Sequence, residues 1–206
     1  VISDFIEKDF ELPGISLVVS GGHTHLYYIS EKNGKIEIEL LGETLDDAVG
    51  ETYDKIARVL GLTYPGGPEI DKLSEIGENT LRIKIPNVEG YNFSFSGIKT
   101  FITNHVNNEK MKGNPIIKEN ISKSLQTVIT DILYSKVKKA VKEKKVKTVL
   151  VAGGVSANRG LREKFEVLRK EENIEVYFPE MEYCTDNEEM KRCDAFYNLK
   201  NKKQAE

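Results

Sequence analysis

The chain has 206 residues, 39% of them hydrophobic and 31% charged, enough for one good core or two small ones but not for a large multidomain assembly. Its 30 basic and 33 acidic residues leave a net charge of -3, which excludes a strongly basic nucleic-acid footprint; any RNA contact must come from local patches or another chain. No apolar run approaches the ~20 residues of a membrane span, VISDFIEKDF lacks a signal peptide's basic start and apolar centre, and Cys184 and Cys193 have no disulfide-framework spacing, so a soluble cytoplasmic protein is expected.

Three strands open the fold: Ile15 to Ser20 is almost wholly apolar, His25 to Ser30 is amphipathic and Lys35 to Leu41 alternates. The turn Lys32-Asn33-Gly34-Lys35 makes the second and third a hairpin. A helix is expected from about Leu45 to Leu60, stopped by Gly61, and a second from Pro68, a favoured first helical position. Residues 79 to 115, rich in Asn, Gly and Pro around Tyr91, Phe93 and Phe95, read as irregular. Residues 116 to 143 then form a long helix, with Ile117, Ile121, Val128, Ile132 and Leu133 near helical spacing. Thr148 to Ala152 is a buried-type strand, Ser156 to Arg169 a helix, Ile174 to Phe178 a strand, and the charged end from about Asn187 a helix. That βββαβαβ order, with 62–143 as a mostly helical insertion, predicts an α/β fold of the actin/Hsp70 class built on a ribonuclease-H-like half-domain.

Two apolar strands, ISLVVS and KTVLVA, each run into a Gly-Gly pair, Gly21-Gly22 and Gly153-Gly154. Without a Cβ the backbone turns sharply and its N–H groups can approach a ligand. The second turn leads into a helix whose N-terminus favours anions. One such turn is ordinary chain reversal; two at the ends of buried strands point to a phosphorylated ligand.

In LDDAVGETYDKIARVL, Asp47, Glu51 and Asp54 fall within about 60° of one another on a helix, opposite Val49, Tyr53, Ile56 and Leu60. A solvated acidic face explains this, unless a cation, a donor-rich ligand or a basic partner offsets the repulsion. Gly50 beside them costs about 1 kcal/mol relative to Ala, which suggests close approach of a ligand or of backbone. Asp71 could bind ribose hydroxyls or serve as a helix-start acid. Ser96 is a candidate N-cap behind two core aromatics, and Lys99 could face a phosphate or an RNA backbone. His23 and His25 share a strand face but fall short of the three or four ligands a metal site needs. Asp186, in Cys184-Thr185-Asp186-Asn187, could be a metal ligand or an N-cap.

Together VVSGGHTHL, LDDAVGETYDK, YPGGPEID, FSFSGIKT, VAGGVSANRGLR and CTDN resemble the bacterial TsaD/Gcp family of tRNA threonylcarbamoyladenosine transferases, over roughly residues 12 to 190. The resemblance implies transfer of a threonylcarbamoyl group from its adenylate to N6 of the adenosine 3′ of the anticodon, in tRNAs reading ANN codons. It implies that Val18, Val19, Ser20, Gly21, Gly22, Asp54, Gly67, Asp71 and Asn158 contact an adenine nucleotide or the adenylate. It also makes Asp186 a ligand of one iron or zinc ion.

The implied partners are tRNA and other subunits of the pathway, including an actin-like dimerisation partner and an ATPase. In that family two metal histidines come from an HxExH motif that this chain does not contain, and the first nucleotide-binding lobe is likewise absent. The opening Val1 reads as a fragment, expected to be inactive alone. After CTDN the family continues in small apolar residues, whereas this chain reads Glu188-Glu189-Met190-Lys191-Arg192. The competing readings are a non-catalytic scaffold of the same fold, a metallopeptidase, as an older family name has it, and an actin-like kinase.

Overall fold

The computed structural model describes residues 10–179. Five strands form one sheet in the order β3-β2-β1-β4-β5. Strands β1 (Gly14–Val19), β2 (Thr24–Lys32) and β3 (Lys35–Glu43) make an antiparallel meander. Strand β4 (Thr148–Ala152) lies parallel to β1, and β5 (Glu175–Tyr177) parallel to β4. Three antiparallel strands followed by two parallel ones added by crossover are the ribonuclease-H-like half-domain of actin-like proteins, as the element order predicts.

All five described α-helices contribute to one core cluster on a single face of the sheet, where Ile15, Leu17 and Val19 of β1 meet Val149 and Val151 of β4. Burying each such Ile, Leu or Val removes it from water at a gain of about 1.5–3 kcal/mol. The alternate residues face the other way, where Ile29, Leu150 and Ala152 pack with Phe10, Leu12 and Tyr177.

Helix α1 (Val49–Val59) starts later than the apolar spacing suggests. Thr44 to Asp47 are used differently: Thr44 bridges to Phe93, the Leu45 N–H donates to the Phe93 carbonyl, and the Thr44 hydroxyl donates to the Asp47 carbonyl. Helix α2 (Gly66–Ser74) starts two residues before Pro68.

The irregular reading of residues 79 to 115 is wrong over its second half, where α3 (Ser96–Lys112) forms. Only Ile98, Ile102 and Val106 bury its face, and the polar residues between them hide the period. Gly113, at φ +74°, ends it. Helix α4 (Lys118–Lys144) runs 27 residues through the core. Helix α5 (Arg159–Glu172) begins three residues after the expected Ser156, because Gly154–Ala157 forms a 3-10 turn and Asn158 caps the helix by accepting the Leu161 N–H at 2.8 Å.

Candidate functional site

The parallel strands β1 and β4 end side by side, Val18 opposite Ala152, so both glycine turns lie at one edge of the sheet. That carboxyl edge is where ligands gather in open α/β sheets. Val19 is buried, Val18 and Ser20 are half-buried, and Gly21 and Gly22 are exposed. The Ser20 Oγ accepts the N–H groups of His23 at 3.1 Å and Gly22 at 3.4 Å, so the first turn is closed by its own side chain. Around Gly21 and Gly22 nothing lies within 4 Å of a built Cβ, which leaves room for a ligand.

The second turn has a different reason for its glycine. Gly153 sits at φ +93°, and a Cβ there would meet the Val19 carbonyl oxygen at 2.4 Å. Backbone packing between strand ends therefore requires it. The same holds for Gly50: its added Cβ would lie 2.7 Å from the Ser20 carbonyl, because α1 docks end-on against the first turn, with the Gly50 N–H donating to Ser20 O and the Val49 N–H to Thr24 Oγ1.

Asp47, which precedes α1, and Glu51 and Asp54 on it separate into two structural roles. Lys55 pairs with Asp47 at 2.6 Å and Glu51 at 2.9 Å, supplying from within the helix the cation that offsets them. The Lys55 hydrogen bond holds the Glu51 carboxyl below its ordinary range, with Lys99 adding a smaller Coulombic contribution. Asp54 instead accepts the Gly66 N–H at 2.7 Å and so closes the start of α2. Gly67, next along, is half-buried with open space beside it.

Asp71 on α2 and Asn158 before α5 are brought together through Gln126 of α4. The Gln126 Nε2 donates to Asp71 Oδ1 at 2.8 Å, and its Oε1 accepts from Asn158 Nδ2 at 2.8 Å. Asp71 Oδ2 accepts the Arg159 N–H at 3.2 Å. The anion at the α5 N-terminus is thus the Asp71 carboxylate itself, where the sequence suggested a ligand phosphate. Arg159 also pairs with Glu75, and a cleft of about 400 Å³ lined by Ser74, Gln126, Thr130, Arg159 and Gly160, among others, opens between α2, α4 and α5. Burial, and behind it the nearby Asp71 carboxylate, pushes the Tyr53 phenol of α1 far up, so it stays protonated beside this network.

Sequence reading missed Gln126, although a glutamine among Leu125, Val128, Ile129 and Leu133 on a buried helix face is itself a signal. It also missed Asp46, which binds Phe95, Ser94 and Ser96 from far along the chain. Ser96 is therefore not the side-chain cap of α3; Asp46 fills that role.

A family model described as TsaD, tRNA N6-adenosine threonylcarbamoyltransferase, matches residues 2–193. The chain belongs to this family. It is 52% identical over 202 residues to the tRNA N6-adenosine threonylcarbamoyltransferase of Fusobacterium nucleatum, covering 98% of this chain and 58% of that protein. The Bacillus subtilis protein of the same name is 46% identical over 193 residues, covering 92% of this chain and 55% of the relative. The chain thus spans somewhat over half the length of these curated relatives. Among solved structures, T. kodakarensis HypF superposes with a TM-score of 0.63 at 15% identity over 85% of this chain and 32% of its own. Full-length HypF in its phosphate- and nucleotide-bound form gives 0.62 at 14% identity, over the same shares of both chains. At that identity the likeness shows the fold alone.

Of the residues that the threonylcarbamoyltransferase resemblance marks for the ligand, Val18 to Gly22 lie at the end of β1, while Asp71 and Asn158 share one hydrogen-bonded network. Asp54 is engaged with the start of α2. Asp186 lies outside the described residues. Among those described, no group of three or more His, Cys, Asp or Glu could hold a metal ion. His23 and His25 stand with ring centroids 5.3 Å apart, but His25 is committed to the Tyr27 hydroxyl at 3.0 Å and to Glu43 at 3.6 Å. No described helix is long and apolar enough to cross a membrane.

Proposed function

We propose that the protein to which this chain belongs transfers a threonylcarbamoyl group from threonylcarbamoyl-adenylate to N6 of the adenosine 3′ of the anticodon, in tRNAs reading ANN codons. Membership of the family carries this reading, together with relatives that bear the transferase name. In the reaction, the N6 amine attacks the carbonyl carbon of the mixed anhydride, a C–N bond forms, the bond from that carbon to the phosphate oxygen breaks, AMP leaves and N6 loses a proton.

The part assigned to this chain is to hold the adenylate. In this reading Asp71 accepts ribose hydroxyls and Asn158 donates beside it. The exposed Gly21-Gly22 turn is the place for the phosphate, because its backbone can be approached without a side chain intervening. Val18, Val19, Ser20 and Gly67 form the flanks, and Asp54 acts by fixing the α1–α2 corner that presents Gly67 and Asp71. Orientation of the anhydride against the incoming amine is the source of rate that such a grip supplies. The tRNA, an actin-like partner and an ATPase belong to the same reading, as does a cytoplasmic location. The low net charge supports a shared RNA surface, since phosphate contacts dominate RNA affinity.

Two measurements test it. AMP titrated into the 206-residue chain should shift the amide resonances of Gly21, Gly22, Arg159 and Leu161. The chain extended to the length of its relatives should convert unmodified tRNA, in the presence of threonylcarbamoyl-adenylate, to a product whose digested nucleosides contain threonylcarbamoyladenosine. Absence of that nucleoside from the extended protein assayed with its partner subunits would refute the transfer.

A further inference from the structure

We propose that Gln126 is a positioning residue of the nucleotide subsite, holding Asp71 and Asn158 in one fixed arrangement toward the ligand. The inference rests on the reading of those two residues as adenylate contacts. Gln126 is 6% exposed, in the middle of α4, with Ile129 and the buried Ser122 and Thr130 one turn away on the same face. A buried amide there is costly unless both of its ends are bonded.

Both ends are bonded, and the partners force the direction of every hydrogen bond. A carboxylate only accepts, so the Gln126 nitrogen must face Asp71 Oδ1, at 2.8 Å, and it also reaches Ser74 Oγ at 3.0 Å. Its oxygen must then face Asn158 Nδ2, at 2.8 Å. That leaves Asn158 Oδ1 to accept the Leu161 N–H at 2.8 Å, which starts α5. Asp71 Oδ2 is turned to the Arg159 N–H on the same helix. One side chain thereby sets which atoms of Asp71 and Asn158 are left for a ligand: the remaining lone pairs of a carboxylate and the second N–H of an amide.

Gly160 supplies an independent observation. A Cβ at that position would lie 2.3 Å from Gln126 Nε2, so α5 carries no side chain where Gln126 passes between Asp71 and Asn158. Space is kept for this amide, as would be expected if its placement matters.

The test uses the 206-residue chain, with AMP as the probe, read by calorimetry and amide shifts, and with thermal unfolding recorded for each variant. Gln126→Met, of similar volume, should weaken AMP binding about tenfold in protein that remains folded, because both ligand-facing groups lose a fixed partner. Gln126→Glu keeps the acceptor for Asn158 but sets a second carboxylate against Asp71; it should weaken binding at least as much and serves the comparison should the Met variant not fold. In an Asn158→Ala background, Gln126→Met should add much less than its own full effect, since the two act through one contact. Lowered unfolding temperatures with AMP affinity unchanged in the folded variants would mean that Gln126 is structural only, and would overturn the inference alone. If the unaltered chain fails to bind AMP, or Asp71→Asn binds it equally well, the nucleotide reading and this inference fall together.

Discussion

The Asp46 carboxylate accepts the Phe95 backbone N–H at 2.8 Å across 49 residues, so a side chain ahead of α1 closes the N-terminus of α3. The hydroxyls of Ser94 and Ser96 donate to its other oxygen at 2.6 and 2.8 Å. Burial alone would raise this carboxyl, but the donors outweigh it and hold it below its ordinary value of 3.8. Asp46→Ala is expected to cost about 1–2 kcal/mol in urea unfolding, as the loss of a helix cap does, and to speed hydrogen exchange at the start of α3. The sign with pH follows from the depressed value: the stabilisation is present above the unfolded-state value and is lost as pH falls through the folded-state one. The difference between wild type and variant should therefore be full at neutral pH and narrow in strong acid.

The glycines of the two turns should separate in their effects. Gly153→Ala forces a side chain into φ +93° and against the Val19 carbonyl; a loss of at least about 2 kcal/mol in stability is expected, seen as a fall in Tm. Gly21→Ala meets nothing within 4 Å, so its stability should stay within about 0.5 kcal/mol of wild type, while its AMP affinity falls. Equal Tm losses for both would contradict the assignment of one turn to packing and the other to ligand.

Asp54 is expected to behave as a corner residue. Asp54→Ala leaves the Gly66 N–H without the acceptor it has at 2.7 Å and should cost about 1 kcal/mol in chemical denaturation. Asp54→Asn, which keeps a carbonyl oxygen in place, should recover most of that. Unchanged stability in the Ala variant would argue that Asp54 serves the ligand and not the turn.

His25 is held below its ordinary value of 6.5 by burial first and by His23 second, with Glu43 opposing. Followed by NMR, its ring should titrate below that value. His23→Ala should move the titration up, and Glu43→Gln should move it further down. Because the lowered folded-state value makes protonation favour the unfolded chain, the contribution to stability is present above 6.5 and is lost as pH falls below it. A downward move in His23→Ala would show that the two rings do not repel in the way their separation implies.

Local period and local turn chemistry are legible in the linear chain. The order of strands, the Asn33-Gly34 hairpin, the long α4, and the two Gly-Gly turns at strand ends all follow from spacings of a few residues. Helix α3 escaped because only Ile98, Ile102 and Val106 mark its buried face. The sequence also carried the family, through motifs that survive as linear strings.

The roles of the polar groups were set by packing between distant segments. Asp71 meets Gln126 across 55 residues, Asn158 meets it across 32, and Asp46 meets Ser96 across 50. No helical or strand period connects such positions. Three carboxylates that share a face on paper part company once α2 packs beside α1: Asp47 and Glu51 go to Lys55, and Asp54 to the Gly66 N–H. The apolar period that marks a face for burial is a property of its own helix, whereas the satisfaction of a buried donor or acceptor depends on which other element arrives at hydrogen-bond distance, and that is fixed only when the helices are packed on the sheet.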